Sequence, residues 1–185
     1  MAEETERTAR AGPARVRIAP WTAAGLPLLR QANTPAMTRY LGGPETEEQL
    51  VRRHRRYLAV EGPGRMYRIL LLPGREAVGT AGFWAAEWGG EAVYEAGWSV
   101  LSAFQGRGIA VAAVRQVLAA AAAEGLRSTV HAYPSVANAA SNAVCRRAGF
   151  RLAGECEVAY PPGHPLRAND WYIPLRETET GADTH

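Results

Sequence analysis

No lysine occurs in this 185-residue sequence; all 21 basic residues are arginine. The absence excludes Schiff-base chemistry on a lysine and removes the Gly-Lys-Ser/Thr core of a P-loop. It fits an arginine- and alanine-rich coding bias. Cysteine is scarce as well: Cys145 and Cys156 are the only two, without metal-ligand spacing, so neither a disulfide framework nor a metal site is expected. No apolar run approaches the ~20 residues that span a membrane. The acidic, small-residue stretch over 1–14 lacks the charged-then-apolar order of a secretion signal, so the expected compartment is the cytoplasm. A net charge of +3 is too mild for a nucleic-acid surface but suits an anionic ligand. No internal repeat is visible, and the length suits one domain.

Within that frame the chain reads as polar tails over 1–14 and 177–185 around one domain over 15–176. Arg15–Pro20 alternates as a strand. Thr22–Asn33 reads as a short helix interrupted by Pro27 and closed by Pro35. Thr46-Glu47-Glu48-Gln49 forms a capping box opening a helix with Leu50, His54, Tyr57 and Leu58 on one face. Its Arg52, Arg53, Arg55 and Arg56 lack interleaved aromatics and read as a solvated face. Three strands follow, Tyr67–Leu72, Ala77–Trp88 and Ala92–Val100, with turns at Pro73-Gly74 and Gly89-Gly90. A helix from near Gly108 carries Val111, Val114, Leu118 and Ala121 or Ala122 at helical spacing and ends at Gly125. A strand over Ser128–Tyr133, a helix over Asn138–Ala148 and a hairpin-like pair, Phe150–Tyr160 and Ala168–Leu175, complete a mixed α/β order.

Gln105-Gly106-Arg107-Gly108-Ile109-Ala110 joins a strand to a helix N-terminus. First-turn amides lack intrahelical partners and the helix dipole adds positive potential, so the junction is suited to a phosphate. The two glycines permit close approach and unusual dihedrals. A dinucleotide fingerprint would need a third glycine where Val111 stands, and an acidic residue after the next strand, where Ala132 and Tyr133 stand.

Gln105-x-x-Gly108-x-Ala110 resembles the acyl-CoA pyrophosphate loop of the GNAT acetyltransferases, Gln/Arg-x-x-Gly-x-Gly/Ala. Asn138-x-x-Ser141 followed by Ala148-Gly149-Phe150 is similar to the second half of that signature, and Asn169-Asp170-Trp171 to the branch that acetylates ribosomal-protein N-termini. The resemblance covers roughly 15–176 and is motif-dense over 92–155. It implies an α/β (α+β), mainly antiparallel twisted sheet with about four flanking helices. Two strands splay into a V-shaped cleft, at 92–100 and 128–133.

The resemblance further implies acetyl-CoA as donor and direct attack by a primary amine in a ternary complex, the amine belonging to a protein N-terminus or a small molecule. Ser99, Val100 and Leu101 would pair with pantetheine through the backbone. Gln105, Gly106, Arg107, Gly108, Ile109 and Ala110 would hold the pyrophosphate, and Asn138 a pantetheine amide. Glu95 is the leading general base, on a strand among apolar neighbours that raise its pKa; His131 competes for the role. Many relatives carry a tyrosine as leaving-group acid where this chain has Cys145, which turns attention to Ser141 near the sulfur. Trp84, Trp88, Trp98 and Tyr160, with the Pro161–Pro165 loop and the helices within 22–61, would line the acceptor side. The rival reading is an acyl-CoA-binding module without catalysis; a transferase of another acyl group also stays open. The chain is expected as a monomer, or as a homodimer paired through its last strands.

Overall fold

The computed structural model describes residues 14–59 and 62–175. Apart from Ala14, the tails expected over 1–14 and 177–185 lie outside them. In chain order the elements are β1 (Val16–Pro20), a 3-10 turn (Ala23–Gly25), α1 (Leu26–Ala32), α2 (Pro35–Thr38), α3 (Glu47–Leu58), β2 (Gly64–Leu71), β3 (Glu76–Trp88), β4 (Glu91–Val100), a 3-10 turn (Ser102–Phe104), α4 (Ile109–Glu124), β5 (Thr129–Ala132), α5 (Ala139–Ala148), β6 (Arg151–Ala159) and β7 (Pro165–Pro174). The strands form one sheet in the order β1-β2-β3-β4-β5-β7-β6. Every pairing is antiparallel except β4 with β5.

That one parallel contact is short. Only Tyr94↔Val130 and Glu95↔His131 are in register, although β4 runs on to Val100. Beyond Ala132 the chain follows β7 instead: Asn169 N–H donates to Pro134 C=O at 2.9 Å and Val136 N–H to Arg167 C=O at 3.1 Å. The two strands therefore diverge into a V-shaped gap past Glu95.

The sheet has two differently covered faces. On one, Tyr94, Ala96 and Val100 of β4 pack with Ile109, Ala113, Val114, Val117 and Ala121 of α4 and with Cys145 and Ala148 of α5. On the other, Trp21, Leu28, Leu29, Leu50, Met66 and Leu101 form a second core beneath α1 and α3. Glutamine side chemistry ties α4 to the first strand: Ile18 N–H donates to Gln116 Oε1 and Gln116 Nε2 to Val16 C=O, each at 3.0 Å.

Three local expectations change. Pro27 lies in the first turn of α1, where its missing N–H costs nothing, so it starts the helix rather than interrupting it; Pro35 likewise opens α2. The buried face of α4 is Ile109, Ala113, Val114, Val117 and Ala121, so Val114 and Ala121 lie on it as expected while Val111 and Leu118 are only partly buried; the alanines on that face let the helix lie close to the sheet. Leu58 is exposed, leaving Leu50 and His54 as the buried face of α3, where Trp21 Nε1 donates to His54 Nδ1 at 3.1 Å. The capping box of Thr46 and Gln49 forms as expected, and the last turn shortens because β7 already begins at Pro165.

Candidate active site

Helices α4 and α5 follow the parallel strands β4 and β5, so both helix N-termini open on the edge where those strands end. In open sheets that edge is where ligands sit. Gly106 and Gly108 have φ of 74° and 76°, and a Cβ at either would meet nothing within 4 Å. They are therefore required for the left-handed turn and not for close packing. Gly108 caps α4 without any side-chain hydrogen bond, and the loop residues Gln105–Gly108 are exposed. The first-turn amides of α4 thus face solvent uncapped, while the Arg107 guanidinium lies over the Phe104 ring at 5.8 Å.

Along β4 the ladder decides which backbone groups face the gap. Leu101 N–H donates to Val78 C=O at 2.9 Å and Leu101 C=O accepts from Phe104 N–H at 2.8 Å. Alternation then turns the groups of Ser99 toward β3 and those of Trp98 and Val100 into the V. Val100 C=O takes Gln105 Nε2 at 2.9 Å, which ties the loop to the strand. Of the three residues expected to pair through the backbone, Val100 is the one so oriented, joined by Trp98.

Glu95 anchors a row of polar groups across four strands. Its register partner on β3 is Trp84, which donates Nε1–H to Oε2 at 3.3 Å. Trp84 can lie along β4 because position 97 is glycine: a Cβ there would come within 2.8 Å of the indole. On the other side Glu95 pairs with His131 of β5, and His131 Nδ1 lies 2.7 Å from Asp170 Oδ1 of β7. Burial pushes the Glu95 carboxyl above its ordinary value, opposed by the Trp84 hydrogen bond and the neighbouring His131. The His131 ring is held between Tyr133 and Tyr172, with centroids at 5.8 and 6.0 Å and both pairs stacked. Trp88 reaches over from the hairpin tip to Tyr133 at 4.8 Å. The Tyr133 hydroxyl is buried without a partner among the described residues, and burial with the charges of Asp170 and Glu95 raises its pKa.

The expected acceptor residues separate. Trp84 belongs to the Glu95 face, but Trp98 points to the opposite face and packs on the α4 core. Tyr160 is 46% exposed at the end of β6, within the influence of Arg53, Tyr57, Glu45 and Arg56. Its turn rests on the α2–α3 connection, where a Cβ on Gly42 would approach Pro161 to 2.6 Å. That turn and α3 together wall one side of the Glu95 face.

At α5, Asn138 serves as N-cap: its Oδ1 accepts from Ser141 N–H at 3.1 Å. Its Nδ2 makes no hydrogen bond among the described residues. Ser141 is half-buried in the first turn. Cys145 is fully buried in the core, where it packs against the α4 face, and burial raises its thiol to about 12.

Sequence reasoning missed two residues. Asn142 donates to Ser135 C=O at 2.9 Å and Asn138 C=O at 2.8 Å, and accepts from Asn169 Nδ2 at 2.7 Å and Trp171 Nε1 at 2.8 Å. It fastens the start of α5 to β7. A poor helix former four residues after another asparagine was the available signal. Asp170, which the sequence offered only as part of Asn169-Asp170-Trp171, is 6% exposed; an acid followed directly by Trp171, Tyr172 and Ile173 is the signal for its burial.

A sheet that splays toward an uncapped helix N-terminus, with a half-buried carboxylate at the fork, is an arrangement suited to an acyl-coenzyme A. The family model for an acetyltransferase (GNAT) domain matches residues 15–151. The chain belongs to the GNAT acetyltransferases, whose acyl donor is acetyl-CoA. Among curated proteins none matches the sequence. A GNAT-family acetyltransferase from Bacillus anthracis superposes with a TM-score of 0.73 at 20% identity, covering 89% of this chain and 98% of that one. An acetyl transferase from Salmonella typhimurium that modifies the N-terminal serine of ribosomal protein L7/L12 gives 0.71 at 21%, covering 90% and 97%. Spermidine N-acetyltransferase from Vibrio cholerae, in complex with CoA and spermine, gives 0.70 at 12%, covering 86% and 95%. No described helix is long and apolar enough to cross a membrane.

Proposed function

We propose that this protein transfers the acetyl group of acetyl-CoA to a primary amine, with Glu95 as general base. The observation that carries the reading is the fork: the β4–β5 ladder ends at the Glu95–His131 pair, and the gap beyond it opens toward the strand ends where the uncapped N-terminus of α4 follows. Bound acetyl-CoA supplies an acyl carbon activated as a thioester. The residues present fit it. The α4 amides with Gly106 and Gly108 suit a pyrophosphate, the gap-facing groups of Trp98 and Val100 suit pantetheine amides, and Asn138 Nδ2 is available to a carbonyl.

Glu95 takes the proton of the acceptor's ammonium, since only the neutral amine is a nucleophile, and a carboxyl raised by burial above its ordinary value is the stronger base for that task. A gap-facing N–H of β4 polarises the acyl carbonyl. Ser141, in the first turn of α5, donates to the departing sulfur; Cys145 has no access to it. The acceptor lies on the Glu95 face between the Tyr160 turn, α3 and the tyrosines around His131. Both a peptide N-terminus and a small polyamine or antibiotic amine satisfy this chemistry, as the acceptors of the structural neighbours illustrate. Such an enzyme works in the cytoplasm, where acetyl-CoA is made.

The test is release of free thiol from acetyl-CoA with a panel of amines: peptides beginning with alanine or serine, polyamines and aminoglycosides. Acceptor-dependent thiol release is expected. Tight cofactor binding with no release for any amine would instead establish the non-catalytic acyl-CoA-binding module.

A further inference from the structure

The His131–Asp170 pair is a buried acid–imidazole contact at the fork. His131 is 8% exposed and Asp170 6%, the ring nitrogen and the carboxylate oxygen are 2.7 Å apart, and stacking by Tyr133 and Tyr172 fixes the plane of the imidazole. With Nδ1 facing Asp170, the other nitrogen, Nε2, is turned away from β7. On the opposite flank Glu95 is the register partner of His131 across the parallel ladder, so both side chains lie on one face. The titratable groups that face the imidazole are Glu95 on β4, Tyr133 after β5, and Asp170 and Tyr172 on β7, with the Trp88 ring beside it; Cys156 of β6 lies near Asp170.

We propose that Asp170 is a positioning residue: its carboxylate accepts Nδ1–H of His131 and so keeps Nε2 unprotonated, as the acceptor for the proton that Glu95 takes from the ammonium. A carboxylate on one imidazole nitrogen sets the tautomer and steadies the cation that forms when the other is protonated. The proton balance is complete. The incoming nitrogen sheds two protons as its bond to the acyl carbon forms and the carbon–sulfur bond breaks. One goes to the departing sulfur. The other goes to Glu95, then by way of one bridging water to Nε2 of His131, since no direct hydrogen bond joins the two side chains, and from the imidazolium to solvent. Glu95 is thereby returned to its charged form for the next turnover.

The proposal rests on the acetyltransferase reading, yet its first test needs no substrate. In the wild-type protein labelled with 15N-histidine, the ring-nitrogen shifts of His131, assigned by the signal missing in His131→Gln, should show protonated Nδ1 and bare Nε2 at alkaline pH. Bare Nδ1 would overturn the proposal, whether or not any amine is acetylated. Asp170→Asn, nearly isosteric, should then change the tautomer pattern and lower kcat about 10- to 100-fold, with the KM for acetyl-CoA and for the amine unchanged. A wild-type kcat with a changed tautomer, or a raised amine KM at unchanged kcat, would show Asp170 to be merely structural or a substrate contact. If Asp170→Asn does not fold, the wild-type spectrum alone decides. Inactivity of the wild type toward every amine would sink the transferase reading while leaving the tautomer result standing.

Discussion

Trp84 donates its indole N–H to Glu95 at 3.3 Å across the β3–β4 ladder, from a position that only a glycine at 97 leaves open. The bond stabilises the charged carboxylate against the burial that disfavours it. Trp84→Phe keeps the ring and removes the donor. The Glu95 pKa should therefore rise further, and the acid limb of the kcat/KM profile should move to higher pH. A pH–rate series on the variant measures this; an unmoved limb would separate Glu95 from the rate.

The same burial makes Glu95 a liability to stability. Its folded pKa lies above the ordinary 4.5, so the folded chain keeps the proton where the unfolded chain has released it. The contribution is fully present below that ordinary value and is lost as pH rises through the folded one. Glu95→Gln should therefore melt above wild type near neutral pH, with the gap closing as pH falls below 4.5. Thermal melts across that range test the sign.

Gly108→Ala isolates the dihedral requirement of the cofactor loop. Nothing lies within 4 Å of the added Cβ, and φ is 76°, so steric conflict with neighbours is absent and left-handed strain of about 1–2 kcal/mol is the whole effect. A weaker acetyl-CoA affinity with a little-changed fold is expected, measured by calorimetric titration.

Cys145→Ala should keep acetyl transfer intact and lower stability by about 1 kcal/mol, because the buried thiol packs and does not donate. A large kcat loss in a folded variant would reinstate it as the leaving-group acid. Asn142→Ala behaves oppositely. It takes the acceptor away from the buried Trp171 Nε1 and the half-buried Asn169 Nδ2, should cost on the order of 3 kcal/mol, and should raise the KM for acetyl-CoA by loosening the turn that presents Asn138 and Ser141. Denaturant titration and steady-state kinetics read both.

Much of this was legible from the chain because local signals agreed with the global fold. The capping box at Thr46, the glycines that punctuate β3–β4 and α4, and the Gln105–Ala110 junction each carry their structural reason in a few adjacent residues. What stayed hidden depends on contacts distant in sequence. The Glu95–His131–Asp170 row spans three strands whose order, β4-β5-β7, is set by sheet assembly. The orientation of Trp98 away from Glu95 follows from a one-residue parity that spacing alone does not rank. Pro27 reads as a break from sequence but starts α1, because a proline in a helical window marks a start as readily as a break and the cap before it carries no side-chain signal.

The most direct measurement compares Glu95→Gln with wild type for turnover of a competent amine and for acetyl-CoA affinity by calorimetry. A loss in kcat of about 100-fold or more is expected, with an unchanged dissociation constant for acetyl-CoA. Near-normal turnover across the pH range would contradict Glu95 as general base.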